Sequence, residues 1–179
     1  MTQVLLDKRA EQLIGHEALK RRLLETGGAI FGWHDQPSDQ LVIACASGPG
    51  PRATHRPTRF APNPTTTAKA MHLVTTSSLG RYGFIGTWHT HPGGGASPSH
   101  LDSRAAEELA EQDDLLLPQP LLLIVSTRIA KQPRVREIKA WRWDPSASKL
   151  IEAPMKRVHM DTDLWPADDL FCSALPARA

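Results

Sequence analysis

Apolar residues recur along this chain in two rhythms, and the rhythm changes at short breaks rich in glycine and proline. From 7 to 24, DKRAEQLIGHEALKRRLL sets Leu13, Ile14, Leu19, Leu23 and Leu24 at helical spacing, with Gly15 as a point of interruption. ETGGAIFGW then reads as a strand, and QLVIACAS at 40–47 as a buried one. The turn residues Asp35 to Asp39 and the short spacing make the two a hairpin. The proline-rich run that follows is irregular, with room for an edge strand around 54–60. TTTAKAMHLVTTSSLGRYG predicts a helix ending near Gly80, and GFIGTWHTH a strand. PGGGASP is a loop, SHLDSRAAEELAEQ a helix, and PLLLIVST the most apolar strand. REIKAWRWD alternates and reads as half-exposed, and a further strand is expected at 149–158. The last residues lack periodicity: 160–179 reads as a tail equipped to dock through Trp165, Leu170 and Phe171. Strands and helices thus interleave around one sheet of mixed direction, an α/β layered domain.

Composition narrows the class. A chain of 179 residues, 40% hydrophobic and 22% charged, is an ordinary single globular domain, here 1–159 plus the tail. A formal charge of +2 gives no ground for nucleic-acid binding. The groups Lys20-Arg21-Arg22 and Arg52, Arg56, Arg59 read first as a solvated helix face and a loop, and more sharply as a docking surface for an acidic partner. Cys45 and Cys172 form no paired motif, and Cys45 sits in an apolar run as a small hydrophobe. The opening MTQVLLDKRAEQ has no signal-peptide core, and Pro118 and Pro120 break the longest apolar stretch, so the expectation is a cytoplasmic protein without a membrane span.

Chemistry concentrates between Trp88 and Asp102, where H-x-H-P is followed, six residues on, by S-x-x-D. On a strand, residues i and i+2 share a face, so His89 and His91 project together while Trp88 and Thr90 project the other way. Pro92 ends the strand, and three glycines let the backbone turn and keep side chains clear of the imidazoles. Ser97 or Ser99 can cap the next helix; with Ser99 as cap, Asp102 falls at its third position, close to a capping box. Asp102, Ala105, Ala106 and Leu109 lie on one helical stripe, which puts a carboxylate on or beside an apolar face. An unpaired buried carboxylate is costly, and a metal would relieve it. Two imidazoles and a carboxylate suit zinc better than calcium or magnesium, and leave a position open for water, as in catalytic sites. Plainer readings exist for each part: Asp102 complementing a helix dipole, Ser99 only a cap, His-x-His structural. The sequence of strand, glycine loop and helix-start Ser-x-x-Asp is what those plainer readings do not anticipate.

These residues resemble the JAMM motif (also called MPN or JAB) of a metalloprotease family. Upstream, Glu25-Thr26-Gly27-Gly28-Ala29-Ile30-Phe31-Gly32 is similar to the glutamate signature of prokaryotic members, with Ile30 at the usual leucine position. The resemblance covers roughly residues 5–145. It implies a single MPN domain over 1–159, with a mixed, mostly antiparallel curved sheet flanked by helices in cytidine-deaminase-like layering. It implies one zinc ion per chain on His89, His91 and Asp102, with Glu25 as the general base and Ser99 stabilising an oxyanion. Thr90 and Pro92 would shape the loop. The implied substrate is a ubiquitin-like protein and its conjugates, the C-terminal tail bound as an added strand and cleaved for deconjugation or maturation. A Gly-Gly end would suit a channel over Gly93–Gly95. The run SGPGPRATHRPTRFAPNP is similar to a segment of small bacterial members encoded beside ubiquitin-activating and ubiquitin-conjugating homologues, including antiphage conjugation operons. Two alternatives stay open: a peptidase acting on a sulfur-carrier adduct, and a RadC-like or scaffold module that binds rather than cleaves. His16, His34, His55, His72, His100 and His159 have no ligand spacing and read as surface or structural. The five tryptophans read as core or docking residues.

Overall fold

In the computed structural model, which describes residues 2–112 and 115–160, a strand precedes the expected first helix. This is β1 (Gln3–Asp7), with Val4 and Leu6 fully buried. It is short, and its three successive apolar residues show neither rhythm. Asp7 ends it and caps α1 (Lys8–Lys20), its Oδ1 accepting from the Arg9 N–H at 2.8 Å. Its Oδ2 accepts from Met160 N–H at 2.9 Å and so ties down the far end of the described chain. Gly15 does not interrupt α1, which stops at Lys20 because Arg21 turns to extended backbone. The tail residues Trp165, Leu170 and Phe171, and Cys172, lie outside the described residues.

The hairpin of β2 (Gly27–Asp35) and β3 (Gln40–Ala46) forms as the pattern predicts. In place of one edge strand around 54–60 the chain makes a separate small hairpin, β4 (Thr54–Arg56) with β5 (Arg59–Ala61). Asn63 caps α2 (Pro64–Ser77), accepting from Thr66 N–H at 3.0 Å, with Pro64 in the first turn where no donor is needed. Then come β6 (Gly83–Pro92), α3 (His100–Ala110), β7 (Leu121–Arg128), β8 (Arg134–Asp144), β9 (Lys149–Ala153) and β10 (Met155–Val158). Among the described residues the main sheet has eight strands in the order β10-β1-β3-β2-β6-β7-β8-β9. The β1–β10, β1–β3 and β6–β7 pairs are parallel and the rest antiparallel.

The expected strand at 149–158 splits at Pro154, and its halves serve opposite edges of the sheet. β9 pairs with β8 and β10 with β1, while the Pro154 carbonyl accepts from Val4 N–H at 2.8 Å. One continuous run therefore supplies both outer strands, so the sheet must curl until its edges meet. That leaves little open edge for another chain to extend. β7 shows why the most apolar strand is central. Leu121, Leu123 and Val125 enter the larger core, while Leu122 and Ile124 join Ala106 of α3, Trp143 and Leu150 in a second cluster. Both faces are covered, so the run is continuous rather than alternating. α1 packs on β1, β2, β3, β7 and β8, α2 on β2 and β6, and α3 on β8 and β9. No helix among the described residues is long and apolar enough to cross a membrane.

Candidate metal centre

The centre is assembled on β6, and its rear is fixed first. Trp88, fully buried, donates its indole N–H to Ser47 O at 2.9 Å. Thr90, also fully buried, is paired twice to Thr26: Thr90 N–H donates to Thr26 O at 2.8 Å, and Thr90 Oγ1 accepts from Thr26 N–H at 3.0 Å. This locks the register in which Gly27 lies opposite His89, and continuing it places Glu25 beside His91. Glu25 lies just before β2 rather than on it. The paired glycines that follow admit close neighbours. A Cβ on Gly27 would lie 2.1 Å from Trp88 O and 2.8 Å from Phe60 Cε1, and one on Gly28 would lie 2.0 Å from Ser47 O.

With the rear fixed, His89 and His91 face forward together. Their Nε2 atoms are 3.1 Å apart. His91 Nδ1–H donates to Gly95 O at 3.1 Å, which turns Nε2 toward His89 and Asp102. Asp102 arrives from α3, where Ser99 is the cap and the capping box is complete: Ser99 Oγ accepts from Asp102 N–H at 3.3 Å, and Asp102 Oδ2 accepts from Ser99 N–H at 2.5 Å. Its Oδ1 is 3.1 Å from His89 Nε2 and its Oδ2 is 3.6 Å from His91 Nε2. One donor atom from each of the three residues lies within 4.8 Å of the others. Two imidazole lone pairs in such proximity repel unless a cation or proton sits between them. Two nitrogens each about 2.0–2.1 Å from a tetrahedral ion are roughly 3.3 Å apart, so the observed pair fits an ion of that kind.

The charges here are strongly coupled. Burial alone would raise the Asp102 carboxyl, but hydrogen bonds from His89 and His91, the charge of His89 and the Ser99 N–H prevail and hold it far below the usual carboxylate range. The hydrogen bond to Asp102 raises His91 against the opposing effect of burial. Glu25 is raised chiefly by desolvation, with His89 and His91 lowering it and Asp102 adding to the rise.

A groove of about 570 Å³ opens beside these groups, with Glu25, His89, Ser99 and Asp102 in its wall. Thr58, Phe60 and Pro62 line one side, and Leu101, Ala105 and Leu109 of α3 the other. The expected channel over Gly93–Gly95 is not where this cavity lies. The stripe expected to be buried on α3 is only partly so: Ala106 is buried, Ala105 exposed and Leu101 57% exposed, because that face borders the groove. The glycine loop is held from behind by Gly93 N–H on Thr127 O at 2.9 Å, Ser126 Oγ on Gly94 O at 2.5 Å and Trp141 Nε1 on Ala96 O at 2.9 Å.

Sequence reasoning missed Ser126 and Trp141, and it set His55 aside. His55 Nδ1–H donates to Glu25 O at 2.8 Å, and Glu25 N–H donates to Arg56 O at 2.9 Å. Residues 25 and 55 stand thirty apart, and no local pattern announces such a bond. His16, His34, His72, His100 and His159 stand outside this candidate metal-binding group.

Residues 7–144 match the family described as prokaryotic homologs of the JAB domain. A protein of Enterobacter hormaechei subsp. hoffmannii named CD-NTase/cGAS isopeptidase is 30% identical over 129 residues, covering 69% of this chain and 67% of that protein. Among solved structures, a Desulfitobacterium hafniense protein is similar in fold at a TM-score of 0.62 and 19% identity, covering 88% of this chain and 94% of that one. A Salinibacter ruber protein reaches a TM-score of 0.50 at 18% identity, covering 91% and 94%.

Proposed function

The chain belongs to the prokaryotic JAB family, and from that premise we propose that it is a zinc-dependent isopeptidase cleaving after the C-terminal tail of a ubiquitin-like protein, within a bacterial conjugation system. The observation that carries this reading is the convergence of His89, His91 and Asp102 on one point beside Glu25. Their donor set, two imidazoles and one carboxylate, is a catalytic zinc set. When bound, zinc supplies Lewis acidity and lowers the pKa of a water to about 7.

This chain's residues supply the rest. Glu25 takes the proton of the attacking water and passes it to the leaving amine; desolvation has already moved its basicity toward neutral. His91, oriented by Gly95 O, and His89 present Nε2 forward as the nitrogens that would hold the metal. Ser99 Oγ already accepts from Asp102 N–H, so its hydroxyl proton is available to the oxyanion. The groove takes the tail extended, with Phe60 on one side and α3 on the other. The name of the Enterobacter relative points to conjugates of a CD-NTase as the class of target.

The test is zinc content together with cleavage of ubiquitin, and of bacterial ubiquitin-like proteins, each joined through its C-terminal glycine to a fluorescent amine. We expect one zinc per chain and a release of amine that a chelator abolishes. Cleavage confined to sulfur-carrier fusions would move the substrate class. A zinc-loaded protein that binds conjugates without cutting any would overturn the enzyme reading.

A further inference from the structure

The main chain of Glu25 is held by the small hairpin rather than by the main sheet. Its N–H donates to Arg56 O at 2.9 Å, and its carbonyl accepts from His55 Nδ1–H at 2.8 Å. Both polar groups of that residue therefore depend on β4, His55 standing thirty residues further along the chain. The hairpin in turn touches the groove. The His55 ring packs against Phe60 of β5 at 5.6 Å between centroids, tilted by 41°. Phe60 lines the groove and reaches over Gly27, where only a glycine leaves room for it. A chain of contacts thus runs from the groove through Phe60 and His55 to the backbone of Glu25.

We propose that His55 is the positioning residue for Glu25: its Nδ1–H sets the backbone from which the base reaches, and links the base to the wall that a bound tail would press on. This rests on the reading of Glu25 as general base. Half-buried on an exposed hairpin, His55 makes no contact with the reacting groups, so it acts through Glu25 alone. Displacement of a catalytic group by about 1 Å costs on the order of 100-fold in rate. The loss should therefore fall on kcat, not on tail binding or on the metal.

Two variants separate the hydrogen bond from the ring. His55→Phe keeps an aromatic against Phe60 and removes the donor; His55→Asn removes the ring and places an amide N–H near the Nδ1 position. In the zinc-loaded protein, with the fluorescent amide of ubiquitin as probe, His55→Phe should lower kcat roughly 10- to 100-fold. KM and zinc affinity should stay within about threefold, and His55→Asn should restore most of the rate. Without substrate, hydrogen exchange at the Glu25 amide should quicken at least about tenfold in His55→Phe and return toward the parent rate in His55→Asn. Should His55→Phe not fold, His55→Leu makes the same comparison. Parent kcat and parent exchange in His55→Phe, or equal loss in both variants, would overturn the proposal. Glu25→Gln run alongside keeps the two ideas apart. If it stays active, the base reading fails. If it is inactive while His55→Phe matches the parent, only the role of His55 fails.

Discussion

On the last residues of β6, neighbours in sequence do opposite work. Trp88 and Thr90 have no exposed surface, and every hydrogen bond they make is to this chain's own buried backbone. His89 and His91 keep 12% and 17% of their side-chain surface and meet a carboxylate, with His89 in the groove wall. The same period of two generates both faces. What differs is what waits on each side: a packed sheet behind, and a helix start and an open groove in front. The comparison teaches that the front is made reactive by being loosely filled and the rear makes it accurate by being tightly filled. If so, damage in front should abolish chemistry and spare the fold, and damage behind should do the reverse.

The largest effect expected is in front. Glu25→Gln keeps the shape and removes the proposed base, and should lower kcat of the zinc-loaded protein by about 10² to 10⁴. The same change should raise the stability of the zinc-free protein. Glu25 is raised in the folded state, so its ionisation favours the unfolded chain, and that penalty grows as pH climbs from the ordinary carboxylate value through the raised one. At neutral pH the glutamine variant should therefore melt higher than the parent in chelator. A lower melting point with unchanged activity would invert the contrast between the faces.

Next in size is the rear. Trp88→Ala empties the site of a fully buried indole and strips Ser47 O of its donor. Losses for such truncations run to about 3–5 kcal/mol, a large share of a domain's stability. Urea unfolding should show it. If the fold survives at low temperature, turnover per zinc-loaded molecule should remain measurable.

This division explains what the sequence made legible. The front group was visible because a candidate metal site needs particular side chains at particular spacings, here His89, His91 and Asp102. β7 and the β2–β3 hairpin were visible because burial imposes a rhythm. The rest depends on pairings distant in sequence. Nothing near Pro154 announces that its two flanks serve opposite edges of one sheet. Nothing near His55 announces a carbonyl thirty residues upstream. β1 was hidden by brevity, and the openness of the α3 stripe by the fact that a groove wall and a core face carry the same apolar spacing.

A sharper test of the rear is the Thr26–Thr90 pair, two similar residues with opposite expectations. Thr90→Val deprives the buried Thr26 N–H of its acceptor, and a buried donor left unpaired costs about 1–3 kcal/mol. Thr26 Oγ1 is buried with no partner, so Thr26→Val should be neutral or slightly stabilising. Equal losses in the two variants, measured by urea unfolding, would mean that both hydroxyls are bonded and that the rear is held differently.

The smallest effect concerns a second buried titratable group, and it separates burial from reactivity. Desolvation raises both Glu25 and Cys45, but Glu25 borders the groove, whereas Cys45 is 1% exposed within the core and is pushed up to about 12, with Asp7 adding to the rise. The thiol of the unfolded chain ionises near 9.0 while the folded one stays protonated. The unfolded state then binds fewer protons, and stability falls as pH rises between those values. At pH 10 the loss from this group is about 1.4 kcal/mol, one pH unit above the unfolded value. Cys45→Ala removes that component, so the stability gap between parent and variant should narrow by that amount between pH 8 and pH 10. Over the same range the parent's Cys45 should resist alkylation until the chain unfolds. A constant gap, or rapid alkylation of Cys45 in the folded protein, would show that the rear is open to solvent, and the contrast between the two faces of β6 would lose its basis.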